Sequence, residues 1–436
     1  MSAGSPPAFG RRVSLPSASP SEGALGSPTV LSGCACEDTT LRVLQIVPSL
    51  RRSTGGPAQA IPQLCSALQS VGVQVELMTF AANPSDCLSE SFPVRAFQPF
   101  PGTLEFPTVQ FFLTLCKELA RFDVVNLHSL WNPVTTVAAM ACRQAKVPYV
   151  ISPMGMLRIA AARSKSLRKT LYYHAMDRRT IAGAAALTFF TELEAAESRQ
   201  YAHGCPDHVL IPNGIDPSGR ESITAGSFRA RHPELGGKRV MLFLGRLHSC
   251  KNLGLQLQAF NLLASKFKDL TWLLVGPDAG EWDGLSSEIQ RLGLQNRVLW
   301  VGPQSHDACL EALADSDVCV LTSHHEGHSM AMNEALLMRA PLVMTGSVGF
   351  EIAETAGAAL VTTSDPAAIA DAITEILSDP GLVRRMQASA QSLIDDVLAW
   401  PRVAIRLSSI YENIAAGKPL SFFREGPRAC ELTHAG

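Results

Sequence analysis

The sequence is poor in charge and contains no long apolar run. Charged residues make up 17% of its 436 residues and the formal net charge is −2, which argues against a nucleic-acid partner bound by bulk electrostatics. No apolar run reaches the roughly 18 residues that a membrane-spanning helix needs, and the N-terminus lacks the apolar core of a secretory signal. We therefore expect a cytoplasmic protein with no nucleic-acid partner.

The eleven cysteines are scattered along the chain and show no zinc-binding pattern. Most of them lie within apolar runs, where cysteine is typical of a small core residue in a reducing compartment. The pair at 34 and 36 is too closely spaced for two zinc ligands and has no second pair downstream. The cysteines expected in the core include Cys65, Cys116, Cys142 and Cys319.

Length and composition divide the chain into a tail and two folded domains. Hydrophobic residues make up 46% of the sequence, and its length suits two domains of about 150–200 residues each. Residues 1–40 are rich in Ser, Ala, Pro and Gly and are predicted to form a disordered tail. An organellar transit peptide is the alternative, because this tail has few acidic residues and contains Arg11 and Arg12.

Short apolar runs alternate with helical patterns of about 10–15 residues, which is typical of parallel βαβ units. The alternation predicts an α/β protein with two doubly wound parallel-sheet domains, 41–218 and 219–400, that face each other across a cleft. A helix at 401–416 is predicted to pack back toward the first domain, and 417–436 to form a second tail. The predicted strands are 41–50, 73–80, 122–129, 148–152, 186–190, 208–212, 239–245, 271–276, 297–302, 317–323 and 341–346.

Two loops at predicted carboxyl ends of strands, where open parallel sheets bind ligands, favour an anionic ligand. In 245-GRLHSCKNL-253, Arg246 and Lys251 precede a helix that begins near Asn252. Fixed cations beside unpaired helical N–H groups predict a diphosphate site, and a solvated pair of surface cations is the alternative. Gly55-Gly56-Pro57 is a weaker signal of the same kind, because two glycines let the backbone approach a ligand.

The stretch 324-HHEGHSMAMNEALL-337 has the composition of a metal site but not the spacing. Gly327 breaks the chain before a helix that is predicted to follow an N-cap at Ser329. His325 and His328 therefore do not share a helical face, and their spacing is one residue short of the His-Glu-x-x-His pattern of zinc proteases. No metal is predicted here.

Two carboxylates frame the start of this helix, because Glu326 precedes it and Glu334 lies on its second turn. A helix N-terminus between carboxylates suits a ligand with an anionic centre and hydroxylated ends, such as a nucleotide sugar. The pair resembles the Glu-x7-Glu motif of retaining glycosyltransferase family 4, whose members have the GT-B fold. Further segments similar to that family occur over about 41–415, at 128–133, 152–157, 211–216, 241–253 and 333–343.

The resemblance implies roles for the residues at matching positions. Arg246 and Lys251 would hold the donor diphosphate and stabilise the leaving group, and Glu326 would contact the transferred sugar as the third catalytic residue. Glu334 would bind the ribose, and Gly56 would lie near the diphosphate and the acceptor. Backbone groups would make further donor contacts at Gly327, Ser329 and Met330.

Two residues are assigned to the acceptor side, His128 at the end of a strand and Met154 in a Ser-Pro-x-Gly segment. A structural histidine is the alternative for His128. The family often has His in place of Met154, and it usually has Phe-Gly-Leu where this chain has residues 328–330. The second difference would place the His328 imidazole beside the sugar site, where it would influence donor choice.

The resemblance implies a retaining, metal-independent glycosyltransferase that needs no cofactor. It would move a sugar from a nucleotide diphosphate sugar to a glycan, lipid-linked or small-molecule acceptor in polysaccharide or glycoconjugate biosynthesis. Two alternatives stay open. One is a nucleotide-sugar epimerase of the GT-B fold, and the other is a non-catalytic nucleotide-sugar-binding protein, since Met154 and Ser329 depart from the family pattern.

Residues 158–179 form a basic segment with apolar residues between the cations. One interpretation is a surface for anionic lipid headgroups, which would place the protein at the inner face of a membrane and suit a lipid-linked acceptor. The alternative is a solvated helix with an inner apolar stripe. The cations are Arg158, Arg163, Lys165, Arg168, Lys169, Arg178 and Arg179, and the apolar residues are Leu167, Leu171, Tyr172 and Met176.

Overall fold

A computed structural model describes residues 40–51, 56–81, 91–103, 106–158, 166–201 and 207–423 of the chain. The predicted tail at 1–40 lies outside the described residues except for Thr40, and so does most of the predicted tail at 417–436. Gly55 and residues 159–165 of the basic segment also lie outside them.

The first domain contains a seven-stranded sheet in which every pair of neighbouring strands is parallel. The strand order is β3-β2-β1-β4-β5-β6-β7. The strands are β1 (Arg42–Ile46), β2 (Gln74–Phe80), β3 (Val94–Phe97), β4 (Val124–His128), β5 (Tyr149–Ser152), β6 (Ala186–Phe189) and β7 (His208–Leu210).

The second domain contains a six-stranded parallel sheet in the order β10-β9-β8-β11-β12-β13. In both sheets the order turns back on itself beside the first strand of the domain, as in doubly wound folds. The strands are β8 (Arg239–Leu244), β9 (Leu270–Val275), β10 (Val298–Trp300), β11 (Val318–Leu321), β12 (Leu342–Thr345) and β13 (Ala359–Thr362).

Helices connect the strands and cover the sheets. In the first domain they are α1 (Gly56–Ser70), α2 (Val109–Glu118), α3 (Pro133–Ala145), α4 (Ser166–Tyr172), α5 (Arg178–Ala182) and α6 (Glu192–Ser198), with a π-helical segment at Tyr173–Asp177. The remaining helices are α7 (Ser227–Arg231), α8 (Leu253–Lys266), α9 (Trp282–Arg291), α10 (His306–Ala314), α11 (Met330–Leu337), α12 (Glu351–Thr355), α13 (Pro366–Ser378), α14 (Pro380–Leu393) and α15 (Trp400–Ala415), with a π-helical segment at Ile394–Leu398.

Both faces of each sheet are buried, which explains the continuous apolar runs of the strands. Successive side chains point to opposite faces. In the first domain, Leu44 and Val125 belong to one core cluster, and Val43 and Val124 belong to a second one. The same division separates Leu242 from Met241 in the second domain.

The predicted architecture of two doubly wound parallel sheets is confirmed, with two strands that the pattern missed. These are Val94–Phe97 and Ala359–Thr362, and each is the edge strand of its sheet. Both are short and only partly buried, so neither carries the continuous apolar run of a central strand. Cys116 was also misplaced, since it is exposed on α2, whereas Cys65, Cys142 and Cys319 are buried as expected.

The last helix, α15, packs on the first domain although the chain reaches it from the second. Its inner face shares a core cluster with α1 and β1, through residues such as Leu407 and Ile410. The Tyr411 hydroxyl accepts hydrogen bonds from Gln45 Nε2 at 3.3 Å and Asn126 Nδ2 at 2.9 Å. The chain therefore passes between the domains twice.

The two crossings lie side by side. The amide of Ile215 donates to the carbonyl of Leu398 at 2.8 Å, and the amide of Trp400 donates to the carbonyl of Ile215 at 3.0 Å. Gly214 packs so closely here that an added Cβ would lie 2.4 Å from the Trp400 ring. Only glycine fits at position 214 without displacing the indole.

We expect Gly214→Ala to reduce the free energy of unfolding by about 1–3 kcal/mol, because the methyl group would overpack the Trp400 ring. Gly284→Ala is the matched control, since an added Cβ on this exposed residue of α9 would meet nothing within 4 Å. The control should be neutral or stabilising by up to about 1 kcal/mol. Urea denaturation of both variants measures the difference, and equal stabilities would contradict this account of the crossing.

Candidate functional site

The loops after β8 and β9 meet backbone to backbone at the carboxyl edge of the second sheet. Gly245 has φ of +146° and Gly276 has φ of +140°, and an added Cβ on Gly276 would lie 2.0 Å from the Gly245 carbonyl oxygen. The amide of Leu247 donates to the Pro277 carbonyl at 2.9 Å. Glycine is required here because no side chain fits between the two loops.

The loop after β8 is also anchored to the neighbouring strand β11. The Thr322 hydroxyl lies 3.1 Å from the Lys251 carbonyl and 3.2 Å from the Asn252 carbonyl, and it accepts from Gln256 Nε2 at 3.0 Å. The amide of His324 donates to the Cys250 carbonyl at 2.8 Å. These bonds fix the main chain of Lys251 relative to the segment 324–328.

This anchoring brings two of the predicted catalytic residues together. Lys251 Nζ lies 2.5 Å from Glu326 Oε1, and the Ser323 hydroxyl donates to the same oxygen at 2.6 Å. The two charged side chains are only 15% and 14% exposed, so the pair is partly shielded from water. Arg246, the third predicted catalytic residue, is exposed in the same loop as Lys251.

Glu334 is buried on α11, and burial raises the pKa of its carboxyl to about 7. Its Oε1 atom lies 3.5 Å from Nδ1 of His306, whose side chain is half exposed at the start of α10. We did not predict His306 as a site residue. The signal available in the sequence was its position at the end of the loop that follows β10. Only the tertiary structure shows that it lies beside Glu334.

The loops of the first domain touch the start of α11. An added Cβ on Gly56 would lie 3.7 Å from Met330 Cγ, and an added Cβ on Gly155 would lie 2.4 Å from the Gly327 Cα. Met154 precedes this contact with a positive φ of 56°. The structure therefore places the predicted donor residues Gly56, Gly327 and Met330 at the junction of the two domains.

Ser329 occupies the N-cap position of α11 as expected, but its side chain makes no capping hydrogen bond. The residue is buried, with an exposed fraction of 6%. The predicted N-cap at Ser329 and the predicted helix start are therefore confirmed, although the Ser329 side chain contributes no capping hydrogen bond.

His328 lies between the domains, between two phenylalanine rings. Its ring centroid is 5.6 Å from that of Phe190 and 5.0 Å from that of Phe350. Nε2 lies 2.9 Å from Asn333 Oδ1, and Asn333 Nδ2 donates to the Asn213 carbonyl at 2.9 Å. Burial lowers the pKa of His328 to about 4, so the ring is neutral at pH 7. Through Asn333, the ring is linked to the main chain of the interdomain crossing at Asn213.

The histidines of the 324–328 segment are not gathered with other potential ligands in the part of the chain that the structure describes. Among the residues that the structure describes, no group of three or more His, Cys, Asp or Glu side chains is arranged to hold a metal ion. His328 is instead bonded to Asn333.

His128 is buried behind the cleft, with an exposed fraction of 2%. Its Nε2 atom lies 2.8 Å from Gln45 Oε1, and burial lowers the pKa of the imidazole to about 3. His128 and Met154 line a cavity of about 30 Å³, enough for about one water molecule. This environment favours the structural alternative for His128, and its contact with an acceptor stays a prediction.

Both interpretations of the basic segment at 158–179 are corrected at individual described residues. Arg158 is 2% exposed and belongs to no surface. Leu167 and Leu171 are 83% and 71% exposed, so the inner apolar stripe is wrong for these two residues, because α4 directs them to solvent. No helix in the described part of the chain is long and apolar enough to cross a membrane.

Two family models match the chain, one in each domain. Residues 55–214 match the glycosyl transferase 4-like domain, and residues 226–393 match glycosyl transferases group 1. Together with the similar proteins described next, these matches support the GT4-type family of glycosyltransferases.

Two curated relatives illustrate the similarity. The chain is 26% identical to phosphatidyl-myo-inositol mannosyltransferase of Mycobacterium leprae, over 86% of this chain and 97% of that protein. It is 25% identical to D-inositol 3-phosphate glycosyltransferase 1 of Catenulispora acidiphila, over 83% of this chain and 92% of that protein. These similarities support glycosyl transfer as the activity.

Solved structures share the fold. HepE of Anabaena, solved in complex with UDP and glucose, has a TM-score of 0.68 at 20% identity and covers 86% of this chain and 100% of that chain. Sucrose-phosphate synthase of Thermosynechococcus elongatus has a TM-score of 0.68 at 19% identity and covers 87% of this chain and 100% of that chain. The chain therefore has the GT-B fold.

Burial of Glu334 predicts a dependence of stability on pH. Its pKa rises from 4.5 to about 7 on folding, so its stabilising contribution is complete below pH 4.5 and is lost as pH rises through 7. Glu334→Gln removes the buried charge. We expect the variant to be more stable than the parent at pH 8, by an amount on the order of 1–3 kcal/mol, and to lose that advantage near pH 4.5.

Urea denaturation at the two pH values measures this difference. Glu354→Gln, on the exposed surface of α12, is the control and should stay within about 0.5 kcal/mol of the parent at both. A Glu334→Gln variant that is equally destabilised at pH 8 and pH 4.5 would show that the carboxylate is not strained by burial.

Proposed function

We propose, on the premise that the two halves of the chain match the domains of GT4-type glycosyltransferases, that this protein transfers a sugar with retention of the anomeric configuration. The donor is a nucleotide diphosphate sugar, and neither a metal nor another cofactor takes part. The observation that carries the proposal is the partly buried pair Lys251–Glu326, with Arg246 in the same loop and the helix α11 beginning four residues after Glu326.

The diphosphate is held by the cations and the helix start. Arg246 and Lys251 lie on the loop after β8, and the N-terminus of α11 offers amide groups and a partial positive charge. The Lys251 ammonium already has an anionic partner in Glu326, so an incoming phosphate would share or replace a contact for which the lysine is positioned. UDP is the first nucleotide to test, since HepE was solved with it.

The two carboxylates bind the hydroxylated ends of the donor. Glu334 accepts from the ribose hydroxyls, and His306 beside it lies close enough to orient that carboxylate. Glu326 accepts from hydroxyls of the transferred sugar, since its carboxylate lies at the cleft between Lys251 and Ser323. The two groups lie before and on α11, an arrangement that suits a ligand with its anionic centre between two polyols.

The reaction is a front-face displacement. The bond between the anomeric carbon and the diphosphate oxygen breaks, and the acceptor oxygen bonds to the same face of that carbon. The acceptor proton passes to the leaving diphosphate. Negative charge therefore develops on the diphosphate oxygen beside Arg246 and Lys251, and preorganised cations at such a position are usually the largest catalytic contribution.

We expect Arg246→Ala and Lys251→Ala each to reduce the turnover number by on the order of 10²-fold or more. Arg239→Ala is the matched control, because Arg239 lies at the opposite end of β8 and pairs with Asp269 on the surface. Transfer from UDP-glucose and other nucleotide sugars is measured by release of the nucleotide, with and without EDTA. Unchanged turnover in both variants, or activity that EDTA abolishes, would refute the assignment.

The product identifies the reaction class. Proton NMR of the product should show the anomeric configuration of the donor. A new epimer formed from the donor alone would indicate the epimerase alternative. Binding of a nucleotide sugar without turnover, across a broad panel of acceptors, would indicate a non-catalytic binding protein.

A lipid-linked acceptor at a membrane surface is favoured by one further observation. Three large apolar side chains of the basic segment, Leu167, Leu171 and Met176, are exposed beside cations. Tyr172 joins this segment to α3 through a 2.8 Å contact with Thr136 Oγ1. Exposed apolar groups among cations suit the headgroup region of anionic lipids, and we propose that the protein binds there peripherally, at an inner membrane face, in glycoconjugate or polysaccharide synthesis.

Flotation with liposomes tests the membrane proposal. The protein should float with anionic vesicles at low salt, not with zwitterionic ones, and the double variant Leu167→Ser/Leu171→Ser should lose most of the binding. Leu262→Ser is the control, because Leu262 is 48% exposed on α8 of the second domain. Binding that is insensitive to salt and to the double variant, or no binding at all, would refute it.

A further inference from the structure

Arg158 is a buried arginine that follows β5 by six residues. It is only 2% exposed. Within its own domain it pairs with Glu197 on α6, with Nε at 3.0 Å from Oε2 and Nη2 at 3.2 Å from Oε1. This two-point contact fixes the plane of the guanidinium.

The remaining donors of Arg158 reach the second domain. Nη1 donates to the Glu326 carbonyl at 2.6 Å and to the Val348 carbonyl at 3.4 Å, and Nη2 donates to the Ser347 carbonyl at 3.2 Å. These carbonyls lie on the two neighbouring loops that follow β11 and β12. One side chain of the first domain therefore holds the main chain of both loops.

The surrounding backbone is packed so tightly that this contact has little freedom. Gly155 lies against Gly327, where an added Cβ would come within 2.4 Å of the opposing Cα. The buried carboxylate of Glu194 accepts from the Gly155 amide at 2.5 Å and from the Phe190 amide at 2.8 Å. Hydrogen bonds within the first domain therefore fix the loop that carries Arg158, in addition to its contact with Gly327.

A second contact between the domains joins Leu193 of the first domain to Gly349 and Glu351 of the second. Glu351 Oε1 accepts from the Leu193 amide at 3.0 Å, and an added Cβ on Gly349 would lie 2.8 Å from the Leu193 side chain. Arg158 is nevertheless the residue that bonds directly to the peptide of Glu326. The Glu326 carbonyl is held by Arg158 of the first domain, and the Glu326 carboxylate is held by Lys251 of the second.

We propose that Arg158 is a positioning residue that fixes the Glu326 peptide, and with it the Glu326 carboxylate, when the two domains are together. The proposal rests on the proposed function, in which Glu326 contacts the transferred sugar. Because Arg158 touches neither Lys251 nor Glu334, its loss should disturb the sugar step and leave nucleotide binding by the second domain nearly intact.

Conservative substitution separates geometry from charge. Arg158→Lys keeps the positive charge but cannot bond Glu197 at two points and three carbonyls at once, because an ammonium lacks the planar fork. Glu197→Gln is a milder variant that keeps Arg158 and weakens only its orientation. We expect the turnover number to fall at least tenfold in Arg158→Lys and less in Glu197→Gln, with the Kd for UDP unchanged within about twofold.

Arg229→Lys is the matched control. Arg229 is a partly buried arginine, 28% exposed, that also donates to main-chain carbonyls, but those of Asp315, Leu235 and Lys238 all belong to its own domain. This variant should lose stability without a comparable loss of turnover. The comparison therefore separates support of the fold from placement of the Glu326 loop.

Amide hydrogen exchange tests the proposal without a known acceptor. Exchange of the peptide that covers 323–329 should accelerate in Arg158→Lys and stay at the parental rate in Arg229→Lys. Unchanged exchange in Arg158→Lys would overturn the proposal. It would also be overturned if Arg158→Lys retained its turnover while its melting temperature fell as in Arg229→Lys, or if it lost UDP affinity and turnover equally. A parent protein that binds no nucleotide refutes the proposed function instead, while the exchange data still decide the role of Arg158.

Discussion

The contact of the Gly155 and Gly327 backbones is the constraint on which the arrangement of the site depends. No side chain fits between them, so the first domain meets the second at the segment that carries Glu326. Arg158 can reach the Glu326 carbonyl from the first domain only because of this approach. The ion pair of Glu326 with Lys251 is thereby held in a cleft whose two walls come from different sheets.

Burial of charge at this junction is unfavourable for folding. Desolvation raises the pKa of Glu194 and of Glu334 to about 7, far above that of a carboxyl in water. Glu194 is compensated by amide donors that shape the loop before Arg158. Among the described residues, the partner of the Glu334 carboxylate is His306 at 3.5 Å. An under-bonded buried carboxylate in a cleft is typical of a group kept for a ligand, and such groups are maintained against stability.

Errors in the interpretation of the sequence came from long-range contacts. Arg158 begins the basic segment and was interpreted as one of its surface cations. Its partners Glu197 and Ser347 are 39 and 189 residues away in the sequence. His306 follows the predicted strand 297–302, yet no local sequence feature links it to Glu334. The packing of His328 between Phe190 and Phe350 is likewise decided by the approach of the two domains, and its influence on donor choice stays a prediction.

By itself the sequence determined the architecture and the loops that matter, because the period of apolar residues and the glycines at strand ends are local properties. It predicted eleven of the thirteen strands found in the described residues, and the frame of Glu326 and Glu334 around α11. The tertiary structure alone decided which groups face each other across the cleft. The Lys251–Glu326 pair spans 75 residues and depends on how the loops of the second sheet pack. The Arg158–Glu326 bond spans 168 residues and depends on how the two domains pack.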